Sequence, residues 1–443
     1  MRRMLFLVFC FLLSAFYLEA QSWQPVGSEI NGQLLSFSVF KNELYAGGVF
    51  SSPSLYTAEW NGSNWNTGAS GYIYHGAQEG IGALLSYDSV LYATGQFDSI
   101  GNLPCRSIAQ WNGVSWDSVG LGLASEYGNG GNSLLVQNGQ LYVGGFYTDT
   151  VNGKILNSIG KWDGKNWDTL GKGVLGLISA LATYNGKLYA GGQFDVASNE
   201  KIQNIAIWDN TKWDSLLIGR PVNSVIYAMV TFKGKLYIAG SFSATVGIHA
   251  NNIATWDGTK WDSVGGGLNN DVNSLIVYDG MLIAGGSFDS TDGKPTSEIA
   301  AWDGTNWHTI GAGLQGGNYG VWGLGVYDSN LYAGGDFTNS GSTSTPYIAM
   351  WKGPLGVNEI SNKKEMIEVF PNPSTGIFIF KLSGNTGKNV ITIYNMFGEN
   401  IYNTQFNTSA TQIDLSGKPA GVYLYRIVSE KGEAISSGKL VIQ

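Results

Sequence analysis

The sequence predicts an all-β chain: a seven-bladed β-propeller closed by its own N-terminal strand, followed by a small C-terminal β-sandwich. Three observations predict it. A segment of the form Leu-Tyr-Ala-Gly-Gly-x-Phe returns seven times at spacings of 46 to 50 residues, a period that belongs to solenoids and propellers. Trp residues come in pairs five apart, and the seventh unit lacks a second Trp while the N-terminal segment holds a spare one. After Trp351 these units stop and alternating apolar runs replace them. Composition agrees: 43% hydrophobic, 13% aromatic and only 13% charged residues exclude an intrinsically disordered chain. The 63 Gly follow no three-residue period, which excludes collagen. A net charge of -8 argues against nucleic acid as a partner, because that affinity rests on Lys and Arg meeting phosphate.

Residues 1–20 read as a secretory signal peptide. Arg2 and Arg3 precede an apolar run from Met4 to Phe16, and Ala20 offers a small residue for cleavage. The run is shorter than the ~20 residues a membrane helix needs. Cys10 follows Phe9, not the small residue that lipid attachment favours. Once Cys10 leaves with the leader, Cys105 has no internal disulfide partner, and a buried inert thiol is expected.

Residues 21–353 hold the repeats. Leu44-Tyr-Ala-Gly-Gly-Val-Phe50 is echoed by Leu188-Tyr-Ala-Gly-Gly-Gln-Phe194 and Leu331-Tyr-Ala-Gly-Gly-Asp-Phe337. One unit reads as four strands. An apolar strand such as Ala180 to Tyr184 meets Asn185-Gly186, a turn whose central residues both need positive φ. The second strand runs over Lys187 to Phe194, a third ends at Trp208, and an outer strand starts near Trp213. Ala or Thr replaces the first Gly of the pair in two copies, so smallness is the expected requirement there. Period-two alternation places both Trp of a pair on one face of a hairpin, suited to packing between neighbouring sheets.

Trp pairs are complete in six units, from Trp60/Trp65 to Trp302/Trp307. The seventh has Trp351 alone. Ser22-Trp23-Gln-Pro-Val-Gly27 has the layout of Asn166-Trp167-Asp-Thr-Leu-Gly171. The N-terminal segment is therefore expected to supply the outer strand of the last unit, which removes an exposed edge and ties the ring. A solenoid would be capped at both ends and would not split a unit. With its Gly-Gly after an apolar strand and its downstream Trp, this region resembles propellers of the kelch and galactose-oxidase type. No counterpart of the galactose-oxidase copper set is found, so that activity is not implied.

Residues 354–366 read as a linker. From residue 367 the runs Ile377-Phe-Ile-Phe-Lys-Leu382, Val390-Ile-Thr-Ile-Tyr394 and Gly421-Val-Tyr-Leu-Tyr-Arg-Ile-Val428 are separated by turn signals, as in a β-sandwich. Residues 367–443 resemble the type A C-terminal sorting domain of the type IX secretion system. The resemblance rests on Phe370-Pro371-Asn372-Pro373 with Gly376, on Ile393-Tyr394-Asn395-Met396-Phe397-Gly398, on Gly421-Val422-Tyr423, and on the terminal run from Lys439 to Gln443. It implies a Bacteroidota cell envelope, the type IX machinery as partner, and a secreted or surface-held product. It also implies Pro371, Asn372, Pro373, Gly376 and Lys439 as sorting-signal residues.

Candidate chemistry is sparse. His308 sits where sister units carry Asp or Asn, and His75 and His249 fall in loops of different units, so no metal site is expected and no cofactor. The Trp-Asp-Gly-x-x-Trp turns resemble the structural Asp-box hairpin of sialidases. Asp98, Asp195 and Asp289 follow the Phe of strand two and are expected to bond loop backbone. Tight turns gather on one rim and longer loops on the other, where binding residues are expected. The candidates are Tyr72, Tyr74, His75, Glu126, Tyr127, Tyr319 and Trp322, the last being outside the Trp pattern. A monomeric binding propeller for a glycan or surface protein is the expected function. The alternative is an extracellular carbohydrate-active enzyme, a hydrolase or lyase, using two carboxylates such as Glu79 and Glu126.

Overall fold

The computed structural model describes residues 22–443 apart from 70–72, 75–79, 101–102, 124–129, 152–153, 217–223, 246–247, 353–354, 356–366, 383–387, 396–399, 409 and 430–433. The leader and most of the linker lie outside them. The chain divides into two compact units, one ending at Pro354 and one starting at Leu355.

Among the described residues the first unit holds seven four-stranded antiparallel sheets. Sheet 1 runs Gln33–Phe40, Glu43–Val49, Thr57–Trp60 and Trp65–Asn66. Sheets 2 to 6 repeat that order, beginning at Gly80–Tyr87, Gly131–Gln137, Val174–Tyr184, Val225–Phe232 and Val272–Tyr278. Sheet 7 has Val321–Tyr327, Asn330–Gly335 and Ile348–Trp351, and takes its fourth strand from Trp23–Pro25. The first strands of successive sheets pack side by side, and that of sheet 7 packs on that of sheet 1. This is a β-propeller arrangement, with the first strands innermost.

The Trp pairs explain how the sheets grip one another. The outer hairpins have four-residue loops, so the two Trp of a pair stand directly opposite, as Trp162 does Trp167. Ring centroids lie 5.2–5.7 Å apart in all seven pairs, including Trp23 with Trp351. The outer Trp also donates its indole N–H to the chain leaving the previous sheet: Trp65 to Val26 O, Trp167 to Val119 O, Trp213 to Leu170 O, Trp307 to Val264 O. Trp23 makes the same bond to Ile310 O, 3.0 Å away.

The loop of each outer hairpin is set by an acceptor at its first position. Asp163, Asp209, Asp257 and Asp303 accept from the backbone N–H groups two and three residues on. Asn61 and Asn112 do so in sheets 1 and 2. The Thr211 hydroxyl and then backbone N–H groups pull Asp209 down to about 2. The Lys260 N–H and the Thr259 hydroxyl pull Asp257 to the same value. A carboxylate whose acidity rises on folding stabilises above its ordinary titration near pH 4, and that contribution fades as pH falls toward 2. Replacing Asp209 by Asn keeps the accepting oxygen and is expected to preserve the melting midpoint at pH 7 while weakening its dependence between pH 4 and 2. Asp209→Ala is expected to lower the midpoint at pH 7, and equal midpoints for the two variants would count against this role.

Every innermost strand carries a β-bulge, at its second or third residue except in sheet 4, whose strand begins earlier. In sheet 1 the register jumps between Leu34 and Ser36, which leaves Leu35 as the extra residue. The extra residues in sheets 2 to 7 are Gly82, Asn132, Ser179, Tyr227, Asn273 and Trp322. The bulge explains the second Gly of the repeat. A Cβ there would lie 2.0–2.2 Å from a carbonyl oxygen of the bulged strand or of the residue just before it, at Gly48, Gly95, Gly145, Gly192, Gly240, Gly286 and Gly335 alike. The first Gly meets mainly side chains of the next sheet, as Gly47 meets Ile81, and Thr94 and Ala239 are accepted there.

The second unit has two sheets sharing one apolar core. One contains Ile367–Phe370, Ile377–Leu382 and Ala410–Asp414; the other contains Asn389–Tyr394, Asn400–Phe406, Gly421–Ser429 and Ala434–Ile442. Phe378, Phe380, Ile391, Ile393, Ile413, Ile427 and Leu440 are fully buried between them.

Candidate functional site

At the end of the propeller where the innermost strands begin, a cleft of about 780 Å³ opens across sheets 2 to 5. Its volume falls within the roughly 300–1,000 Å³ of small-molecule sites. The residue after the second Gly of the repeat supplies Gln96, Phe146 and Gln193 in three successive sheets, and the bulge supplies Asn132. Leu175, Gly176 and Leu177 form one wall, where the innermost strand of sheet 4 runs on to pair Val174 with Ala197. A second bulge in this extension throws out Asp195. Its Oδ1 accepts from Gln203 Nε2 at 2.6 Å, which holds the carboxylate at the cleft edge. Asn204 is fixed differently, its Oδ1 accepting from the Phe194 N–H. Asn132, Gln193, Leu175 and Asp195 are exposed, and Phe146 is half-buried.

The structure corrects the role expected of two of the three Asp residues that follow the Phe of strand two. Asp195 and Asp289 accept from the side-chain amides of Gln203 and Asn269 rather than from loop backbone. The loop N–H groups at Asp289 and Ser290 are taken by Asn269 Oδ1 instead.

The predicted aromatic candidates separate. Trp322 is not in a loop but is the bulge residue of an innermost strand. It is half-buried, and its ring lies 6.4 Å from that of Tyr227, the bulge residue two sheets away. Its indole N–H is buried without a hydrogen-bond partner. Tyr319 is 62% exposed on the loop leading to it. That loop is held by Asp336, whose carboxylate accepts the N–H groups of Asn318 and Tyr319. Asn273 ties Tyr319 to Trp322's strand by donating to the carbonyls of Tyr319 and Val321. Tyr74 lies on the short strand Ile73–Tyr74, paired with Ser99–Ile100. Its side chain, and Tyr72, His75, Glu79, Glu126 and Tyr127, lie outside the described residues. His308 contacts Asp303 at 2.8 Å beside an outer hairpin.

Glu298 and Cys105 both have acidities shifted by burial. Burial first, and the nearby charge of Asp336 second, push Glu298 up to about 8, so it is protonated at neutral pH. Burial pushes the Cys105 thiol up to about 12, which keeps it from acting as a thiolate. Among the described residues no three His, Cys, Asp or Glu side chains gather to hold a metal ion.

The second unit brings its expected signal residues together. Asn372 reaches across 67 residues of sequence to donate to Lys439 O at 2.6 Å, and accepts from Val441 N–H at 2.9 Å. Ser374 continues the contact, donating its N–H to Val441 O and accepting from Gln443 N–H. The turn with Pro371 and Pro373 thus covers the outer edge of the last strand, which would otherwise offer unpaired backbone groups. Gly376 has φ +115°, and a Cβ there would lie 2.5 Å from Ser416 Cα. Lys439 meets Asn372 through its carbonyl and leaves its side chain exposed.

Comparison with known proteins identifies this unit. Residues 368–443 match the family described as the secretion system C-terminal sorting domain. Among curated proteins no sequence matches the chain. Solved structures with a similar course include the computationally designed Ika8 protein, at 13% identity and a TM-score of 0.41 over 96% of this chain and 100% of that one. PorZ, described as a surface component of the type IX secretion system of Porphyromonas gingivalis, aligns at 13% identity and a TM-score of 0.37, over 93% of this chain and 66% of its own. The WD40 propeller domain of Doa1 aligns at 11% identity and 0.41, over 75% and 97%. The chain carries a type IX sorting tail and is cargo for export to the surface or medium. No helix among the described residues is long and apolar enough to cross a membrane.

Proposed function

We propose that this is an exported propeller that binds a glycan or surface protein without transforming it. A cleavable leader over residues 1–20 takes it across the inner membrane, and the sorting unit hands it to the type IX machinery. The seven sheets are read as blades of one ring closed between Trp23 and Trp351, with residues 354–366 as the linker. The observation that carries the binding reading is the cleft at the loop-rich rim, with its exposed amides and its exposed and half-buried apolar walls. A rigid scaffold presenting such a surface is where recognition resides.

A carbohydrate-active enzyme is the second reading, favoured by one observation. Burial and then the neighbouring Asp336 raise Glu298 to about 8, and a protonated acid beside a second carboxyl group is the pairing that glycoside hydrolysis uses. Against it, Asp336 already holds the backbone of Asn318 and Tyr319. The test is a glycan and envelope-component array probed with the purified full chain, followed by assay of bound glycans for released reducing ends. Capture without release is expected. Release that disappears in Glu298→Gln would replace the binding reading by the enzymatic one.

A further inference from the structure

We infer that the bulge residues whose side chains are exposed or half-buried form one ligand-reading ring, and that its Asn132 sector, with the adjoining cleft, takes an uncharged oligosaccharide. This rests on the binding reading above and names its ligand class.

The repeat itself separates packing from reading. The residue before the bulge is Leu34, Ile81, Ile178, Ile226, Val272 or Val321 in six sheets, each 0% exposed. The residue after it is Ser, Ala or Gly in all seven. Between these constant neighbours the bulge residue changes freely, from Gly82 to Trp322 and from Leu35 to Asn132. Six of the seven are half-buried or exposed. Packing would hold such a position constant, as it does on either side. A bulge re-aims a side chain out of the ladder, here toward the open end of the innermost strands.

These residues also lie together. The rings of Tyr227 and Trp322 meet although their sheets are not neighbours. A Cβ on Gly82 would be 3.6 Å from Asn132 Oδ1. Asn273 donates to the strand that carries Trp322.

The chemistry selects the ligand. No bulge residue is ionisable near neutral pH. Among the described residues the cleft is lined by no Lys or Arg, and the one carboxylate among them is Asp195. Sulfate, phosphate or uronate groups would meet repulsion and no counter-charge. The amides of Asn132 and Gln193 can each donate to and accept from hydroxyls. Phe146, Leu175 and Leu177 offer apolar surface for the C–H face of a sugar ring, as do Tyr227 and Trp322 farther round the ring.

The experiment is calorimetric titration of the purified full chain with cellohexaose, xylohexaose, mannohexaose and hexagalacturonate, and with an extended uncharged peptide. Binding of a neutral hexasaccharide in preference to hexagalacturonate and peptide is expected. Asn132→Ala and Gln193→Ala should each weaken it about tenfold with melting midpoints unchanged, since both side chains are exposed. Trp322→Ala should weaken it as well, and Lys187→Ala, beside a tight turn at the other rim, should not. Preference for hexagalacturonate or peptide overturns the inference, as does failure of all three neutral sugars. So does neutral binding that survives both amide changes. In each of these cases capture of some other component on the array leaves the binding reading standing, whereas release of reducing ends removes that reading itself.

Discussion

Trp23→Ala is expected to destabilise the propeller by about 3–5 kcal/mol, the range for removing a buried Trp, and deletion of residues 22–27 by more. Trp23 is 1% exposed, stands opposite Trp351, and gives its indole N–H to Ile310 O. Val26 is buried with Ile30, Trp60, Trp65 and Tyr332, and its carbonyl receives the Trp65 indole. Residues 23–26 therefore join sheet 7 to sheet 1, and their loss would uncover the edge of Ile348–Trp351. Denaturant melts of the full chain check this, with exposed Ile155→Ala as a comparison expected to cost little. A Trp23→Ala chain that unfolds at the wild-type midpoint would show that this segment does not close the structure.

Export should depend on the second unit in an all-or-none way. A chain ended at residue 353 is expected to fold its propeller yet stay in the periplasm of a host with the type IX system. Asn372→Ala is expected to have nearly the same effect. It removes two hydrogen bonds to the terminal strand, each worth about 1 kcal/mol, and leaves that strand's edge open. Lys439→Ala separates shape from recognition. It keeps the carbonyl that Asn372 uses and deletes only an exposed side chain. A Lys439→Ala chain that folds but is retained would identify the side chain as something the machinery reads. Fractionation and protease shaving of intact cells measure all three variants. Surface display of the truncated chain would refute a sorting role for residues 367–443.

The sequence by itself determined the elements and their repetition. Two-residue turns such as Asn185-Gly186, with φ of 47° and 74°, are local, so their residues announce them. The Trp pairs and the Gly pair are repeated packing demands, and repetition made them legible down to the spare Trp at the N-terminus. The sorting motif was legible as a pattern of residue types, although the clasp between Asn372 and the terminal strand spans 67 residues and was not. Tertiary structure alone decided where the candidate site lies. Asn132 comes from one unit and Gln193 and Asp195 from the next, and they are neighbours only because successive sheets bring their strand ends to one rim. Trp322 read as a loop residue because a bulge interrupts period-two alternation just where its strand begins. The one available signal was a position varying inside a constant repeat. Binding surfaces escape sequence reading for that reason: packing must be satisfied identically in every sheet and leaves a periodic record, whereas a ligand is met once by the whole ring and leaves none.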